Sequence, residues 1–564
     1  MKSAAAALAI LALAVPTAMG ADATSLGIGY ICGAERPGPV AAATQAVMLQ
    51  GVGNGASPAD TANREAQAWF DEGLNLYHAF NHNEARAAFA KAAALDPDCA
   101  LCEWGVALGL GPTLNYGVTE DQTALARSHA ERAAKLAKPG DARARALIDA
   151  MLVRYDKAAP GKRDVLFARA MDDLVHRYPD DDQIADLAAE ALMIPGRGGD
   201  AANVARAEAI LKGVLARRPD DTAAIHYEIH ASEFAGHPAE ALPYAERLAG
   251  LAPGASHLVH MAAHTLMHVG RYEQVAIVDA EALKVDADTE KRLAYPGPLS
   301  AQMYYLHNYT FGLAGALMAG DSRLAVKYAD HADVAFPAGD KTPVALPAGL
   351  TRNESAPDRR TTVMAKRLVA YGRYRPAKAL AQAEQPDEAR VIRIYRHYAR
   401  GEAFAARRDV AGVRAEAAAI AMLQAEAAKA HELGNGDLAE IAGGVLEGRA
   451  ALLERQPAKA AEHFAAAAAK QERAFPVARN FDPPPWWYPV RRSLALAQLR
   501  AGKPEEAARE ARASLKDWPD DALALRVLSF AEARLGQTKA AHDHIAAAHR
   551  AWRGDLTMVP LALT

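Results

Sequence analysis

The chain has 564 residues, 51% of them hydrophobic, and a formal net charge of −4. Such apolar content excludes a disordered chain, and the length exceeds what one ordinary core serves. The weak acidic balance excludes the basic field that would point to nucleic acid, while abundant alanine and few aromatics favour close-packed helices over sheets.

Residues 1–20 read as a cleaved secretory signal. Lys2 gives the positive start, Ala4 to Val15 the apolar run, and Ala18 with Gly20 the small-residue cleavage pattern, with Ala21-Asp22-Ala23 as an alternative. The run is too short to cross a bilayer, and no later stretch is apolar enough, so no transmembrane segment is expected in the mature chain. The mature protein is therefore expected in the periplasm or secreted. Residues 21–60 carry little periodicity and read as an irregular lead-in. Of Cys32, Cys99 and Cys102, the last two open a helix after Pro97-Asp98. A structural disulfide or two buried thiols fits them better than redox or haem chemistry, because no strand precedes them and no histidine follows Cys102.

From residue 61 onward the chain repeats. A tetratricopeptide unit of about 34 residues is two antiparallel helices marked by small and aromatic residues at fixed offsets. Counting from Ala66, Trp69 falls at position 4, Gly73 at 8, Ala85 at 20, Phe89 at 24, Ala92 at 27 and Pro97 at 32. Gly73 and Ala85 mark the closest approach of the two helices, Phe89 fills the space beside them, and Pro97 ends the second. The same frame starts again at Thr222, Ser256 and Leu306, and near Ile441, Tyr488 and Ala522. Tyr178-Pro179-Asp180 and Arg218-Pro219-Asp220 read as ends of degenerate repeats. The fold class is all-α, a TPR-type helical-hairpin solenoid wound as a right-handed superhelix, with two arrays over 61–336 and 361–564. The linker falls at 337–360, where proline and glycine cluster. Pro483 to Pro489, with Trp486, Trp487 and Tyr488, reads as a segment packed against the last repeats rather than a ligand platform.

Seven of the 19 histidines fall within residues 226–268, far above an even spread: His226, His230, His237, His257, His260, His264 and His268. Their register is regular. His226 and His230 are positions 5 and 9 of one unit, with Glu233 at 12; His257, His260, His264 and His268 are positions 2, 5, 9 and 13 of the next, with Met267 at 12. Steps of three and four place each set on one helix face. Parallel first helices should then set His226 opposite His260, and His230 opposite His264. Imidazoles one turn apart can share a metal, so His226, His230, His260 and His264 are the candidate metal ligands, for zinc, copper or iron. Glu233, His257, Met267, His268 and His307 are the candidate lining of a ligand groove. His226-Tyr227-Glu228-Ile229-His230 departs from the zincin spacing, so Glu228 points away and is no general base. His78 and His82, at the first hairpin turn, and His542, His544 and His549, near the end, are expected at the surface. No catalytic residue is assigned.

Several stretches resemble a family of exported bacterial TPR proteins of poorly defined activity. They are Tyr77-His78-Ala79-Phe80-Asn81-His82, Asp96 to Gly105, Gly111 to Asn115, His226 to Ala231, His257-Leu258-Val259-His260-Met261-Ala262-Ala263-His264, and Pro484 to Arg491. Relatives often carry proline and serine where this chain has Ala262-Ala263. The resemblance implies the fold, and that first helices line a concave groove; it implies no reaction. Two readings follow. One is a module that binds a protein or peptide in a histidine-lined groove, with no nucleic acid as partner. The other is a metal-binding protein or metalloenzyme built on the four histidines. Converging imidazole nitrogens, each backed by an acceptor, would favour the second.

Overall fold

The computed structural model describes residues 46–115, 117–195, 200–293, 303–335, 359–384, 388–476 and 482–560. The expected signal, Cys32 and nearly all of the expected linker lie outside the described residues.

Helical hairpins follow one another along the chain. α1 (Arg64–His78) pairs with α2 (His82–Leu95), α3 (Ala100–Gly109) with α4 (Glu120–Leu136), and α5 (Ala142–Arg154) with α6 (Arg163–Arg177). α7 (Asp182–Met193) pairs with α8 (Ala201–Arg217), α9 (Thr222–Ala235) with α10 (Leu242–Leu251), α11 (Ser256–His268) with α12 (Tyr272–Leu293), and α13 (Met303–Met318) with α14 (Ser322–Ala335). Beyond these come α15 (Arg359–Tyr374) with α16 (Pro376–Leu380), α17 (Arg390–Ala406) with α18 (Val410–Lys429), and α19 (Leu433–Leu453) with α20 (Pro457–Ala474). α21 (Arg491–Arg500) with α22 (Pro504–Asp517) and α23 (Ala522–Arg534) with α24 (Thr538–Ala551) complete the array. This is the expected TPR-type solenoid. The degenerate stretch between residues 100 and 222 forms full hairpins as well, and α6 and α8 end just before the two proline-aspartate pairs.

The repeat frame has a direct backbone correlate. At position 15 of seven units the chain turns left-handed: Phe80 (φ 60°), Gly236 (83°), Gly270 (79°), Gly320 (69°), Arg455 (62°), Gly502 (77°) and Gly536 (74°). Glycine is the low-cost choice there. Phe80 is the large apolar exception, and the reason emerges at the site. Inside the first hairpin, a Cβ on Gly73 would stand 2.6 Å from the Phe89 ring, so glycine is needed for the helices to close on that ring.

Cys99 and Cys102 form a disulfide at the start of α3, with Cys99 as its N-cap. Residues 46–63 precede α1 without a helix of their own and run along the edge of the first array. The Leu49 amide donates to Glu72 Oε1 (2.6 Å), and the Gly55 amide donates to Asn75 Oδ1 (2.8 Å). Asn54 Oδ1 accepts from the Thr222 amide (3.1 Å), tying the segment to the start of α9. Either side of the proline-glycine stretch, α13 packs on α15, and Arg367 Nε donates to Asp333 Oδ1 at 2.7 Å. One apolar cluster runs from Tyr272 to Trp518.

The Pro-Trp-Trp segment is packing. Trp486 and Tyr488 are fully buried, and the Trp486 ring meets Tyr398 of α17 edge-on at 4.8 Å. Lys366 Nζ donates to the carbonyls of Pro483 (3.3 Å) and Pro484 (2.9 Å).

Candidate metal centre

Consecutive first helices α9, α11 and α13 lie side by side, and six histidines meet between them. Asp221 starts α9 by accepting from the amides of Ala223 and Ala224, both at 3.1 Å, which sets the register of His226 and His230. The imidazoles form two triads: His226, His230 and His257, and beside them His260, His264 and His307. Within each triad, one nitrogen from each ring lies within 4.8 Å of the others. His226, His230, His260, His264 and His307 are 0% exposed, and His257 is 2% exposed.

One rule builds both triads. Positions 5 and 9 of one unit meet position 2 of the next: His226 and His230 with His257, then His260 and His264 with His307. His226 therefore faces His257, not His260 as its register suggested. Ridges of packed helices interdigitate, so a side chain settles between its counterparts rather than opposite one. His230 does meet His264, at 5.7 Å between ring centroids.

Three of the rings are hydrogen-bonded from behind, whereas His257 Nδ1 has no hydrogen-bond partner among the described residues. His226 Nδ1 lies 2.6 Å from the His78 carbonyl, which can only accept, so the proton sits on Nδ1 and Nε2 carries the lone pair. His264 Nδ1 lies 2.9 Å from Glu233 Oε1, and His260 Nδ1 lies 2.6 Å from Asp279 Oδ1. His307 Nδ1 stands 3.3 Å from Asp482 Oδ1, at ion-pair distance. The Nε2 atoms turn inward: those of His226 and His257 are 3.2 Å apart, and those of His264 and His307 are 3.3 Å apart. Bonds of about 2.0–2.1 Å to a tetrahedral ion give a nitrogen–nitrogen edge of roughly 3.3–3.4 Å. The spacing therefore fits two ligands of one ion, and each triad can hold a metal.

Electrostatics favour neutral rings in the first triad. Burial, then the neighbouring imidazoles, push His226 and His257 well below the usual histidine range, and burial lowers His230. Burial alone would raise Glu233; His264 and hydrogen bonds from His230, His264 and His268 hold it well below the usual carboxylate range instead. Glu233 serves both triads, with Oε2 3.7 Å from His230 Nδ1. Burial, then Asp286, pushes the Asp279 carboxyl up, and a bound cation would oppose that rise.

Distant parts of the chain close the site. The α1–α2 turn puts Phe80 against His226 (centroids 4.4 Å) and His257 (4.9 Å), which explains a left-handed phenylalanine where five of the other six units carry glycine. Tyr304 packs on His257 at 4.8 Å, and Phe311 on His264 at 4.6 Å. His78 and His82, expected at the surface, are buried instead; burial lowers both to about 3. The hairpin turn is covered because α1 touches α9, and His78 Nδ1 meets Tyr227 Oη at 3.0 Å.

Of the residues expected to line an open groove, His257 and His307 join the triads and Glu233 stands behind them, all buried. Met267 and His268 keep partial exposure. Met267 lines a narrow apolar cleft with Leu313, Pro483 and Trp487; His268 Nε2 lies 3.4 Å from Glu233. His237 stands apart, near Glu208 at 3.4 Å. Glu228 faces away from the triads toward Lys212 (3.8 Å), as the spacing required. His542 and His549 are exposed, and His544 is partly buried on Glu532.

Sequence reading missed Asp279, Asp482, Phe80 and the His78 carbonyl. Asp279 did carry a signal. It is position 24 of the unit from Ser256, the slot filled by Phe89 and Phe464 elsewhere. A carboxylate there is a repeat broken to support a histidine.

Fold and site together define a helical-repeat protein with paired buried trihistidine groups. No family model matches the chain, and no curated protein does. Solved structures similar in outline are distant. The human IFIT1 dimer with m7Gppp-AAAA is 12% identical, with TM-score 0.28, covering 87% of this chain and 91% of that one. Naa15/Naa10 bound to HypK-THB is 15% identical, with TM-score 0.22, covering 86% and 70%.

Proposed function

We propose that this is an exported metal-binding protein whose two buried trihistidine groups each hold a transition-metal ion, in a solenoid that serves as the housing. The observation that carries the reading is the outward anchoring of Nδ1 combined with inward-facing Nε2 atoms, made twice by one register rule. A histidine used as a ligand needs its far nitrogen fixed by an acceptor, and His226, His260 and His264 have one. An all-imidazole donor set suits zinc, copper or iron and argues against magnesium, calcium or manganese.

Peptide binding at these histidines has less support, since a peptide would first have to displace Phe80, Tyr304 and Asp482. Export is supported by the apolar start of the chain and by the Cys99–Cys102 disulfide, a bond that persists in oxidising compartments.

The test is metal analysis of the purified, folded chain beside His264→Ala and His226→Ala. Stoichiometric zinc, copper or iron, reduced in each variant while circular dichroism stays unchanged, is the expected result. Traces of metal that do not differ among the three proteins would overturn the reading.

A further inference from the structure

The two triads are not independent pockets. The His230 and His264 rings are 5.7 Å apart and the His257 and His260 rings 5.9 Å, distances no longer than the 6.4 Å between His230 and His257 inside one triad. Glu233 holds a ring of each. Six imidazoles thus form one continuous cluster.

Resting on the metal reading above, we infer that the cluster is a single two-copper centre that takes up dioxygen. Three lines point there. First, all six side chains of the two triads are imidazoles, with no carboxylate among them. The two-histidine, one-carboxylate set typical of oxygen-activating non-haem iron is absent from both triads, and zinc has no electron to give, whereas copper suits imidazole and binds most strongly of the divalent series. Second, three ligands per ion leave a coordination position open in each half of the cluster. Third, rings 0–2% exposed and walled by Phe80, Tyr304 and Phe311 admit a small neutral molecule and exclude a polymer or a bulky anion.

The step balances within the centre. Each copper(I) gives one electron, dioxygen accepts both and becomes peroxide bound to two copper(II) ions. No proton moves and no protein bond breaks.

The test uses the full chain, stripped of metal, loaded with copper(I) without air, then exposed to dioxygen. Two copper ions per chain, one dioxygen consumed per chain at an oxygen electrode, and no paramagnetic signal from the paired copper(II) spins are expected. Copper binding without oxygen uptake, or a signal integrating to two separate spins, would overturn the inference while leaving the metal reading intact. Stoichiometric zinc or iron with copper refused would do the same; no stoichiometric metal of any kind ends both. His230→Ala, which spares the second triad, should keep one copper, consume no dioxygen and give a one-spin signal after chemical oxidation. Full oxygen uptake by that variant would also overturn the inference.

Discussion

In the units from Thr222 and Ser256, positions 5 and 9 of the first helix carry histidines; in those from Ile441, Tyr488 and Ala522, one of the two carries an arginine. In the N-terminal layer they are His226, His230, His260 and His264; in the C-terminal layer Arg449 is position 9 of its unit, and Arg492 and Arg526 are position 5 of theirs. Both sets are buried. An arginine brings its charge with it, and the chain answers: Arg449 pairs with Glu402 at 3.0 Å, Arg492 with Asp521 at 3.1 Å, and Arg526 donates to the Leu556 carbonyl at 2.7 Å. In the histidine layer the carboxylates Glu233 and Asp279 stand behind rings that turn toward one another. The arginine layer meets its carboxylates and carbonyls within the chain. On the reading proposed above, the histidine layer would take its cation from outside the chain.

That contrast can be broken most forcefully at Arg449. Arg449→Ala leaves Glu402 buried without its partner and should cost about 3–5 kcal/mol, read as a lower denaturant midpoint. Added metal should not restore it. A metal-dependent rescue would mean that the two layers are not separate devices.

Metal removal should do the reverse. With free metal at about a hundredfold excess over its dissociation constant, stripping should lower stability by about 2.7 kcal/mol for each ion removed. Amide exchange should rise in α9, α11 and α13 and stay level in α19 and α21. A uniform rise across both halves would contradict the layered account.

A smaller effect belongs to Asp279. Asp279→Asn should weaken metal binding about 10–100-fold by loosening the hold on His260, with little change in helix content. Unchanged affinity in a competition titration would remove Asp279 from the site.

Much of this contrast could be read from the chain, and the limits have physical causes. The frame placed the close approach of Gly73 to Phe89, because it arises within one hairpin. It set His226 and His230 on one helix face, and His257, His260 and His264 on another, for the same reason. It misjudged which faced which, because His226 and His257 meet across an interface whose offset depends on how ridges interlock. His78 and His82 seemed exposed because a hairpin turn usually is; only the return of the superhelix, bringing α9 against α1, buries them. Asp482 reaches His307 from a loop far along the chain, and no periodicity connects the two. Phe80 was legible only as an irregularity, the residue where glycine belonged.

The most direct measurement of the central claim is anomalous diffraction from crystals of the metal-loaded protein, collected at the absorption edge of the metal found. The account predicts two peaks, one among the Nε2 atoms of His226, His230 and His257, the other among those of His260, His264 and His307. Peaks only at surface residues, with all six rings bonded to one another around an ion-free interior, would contradict it.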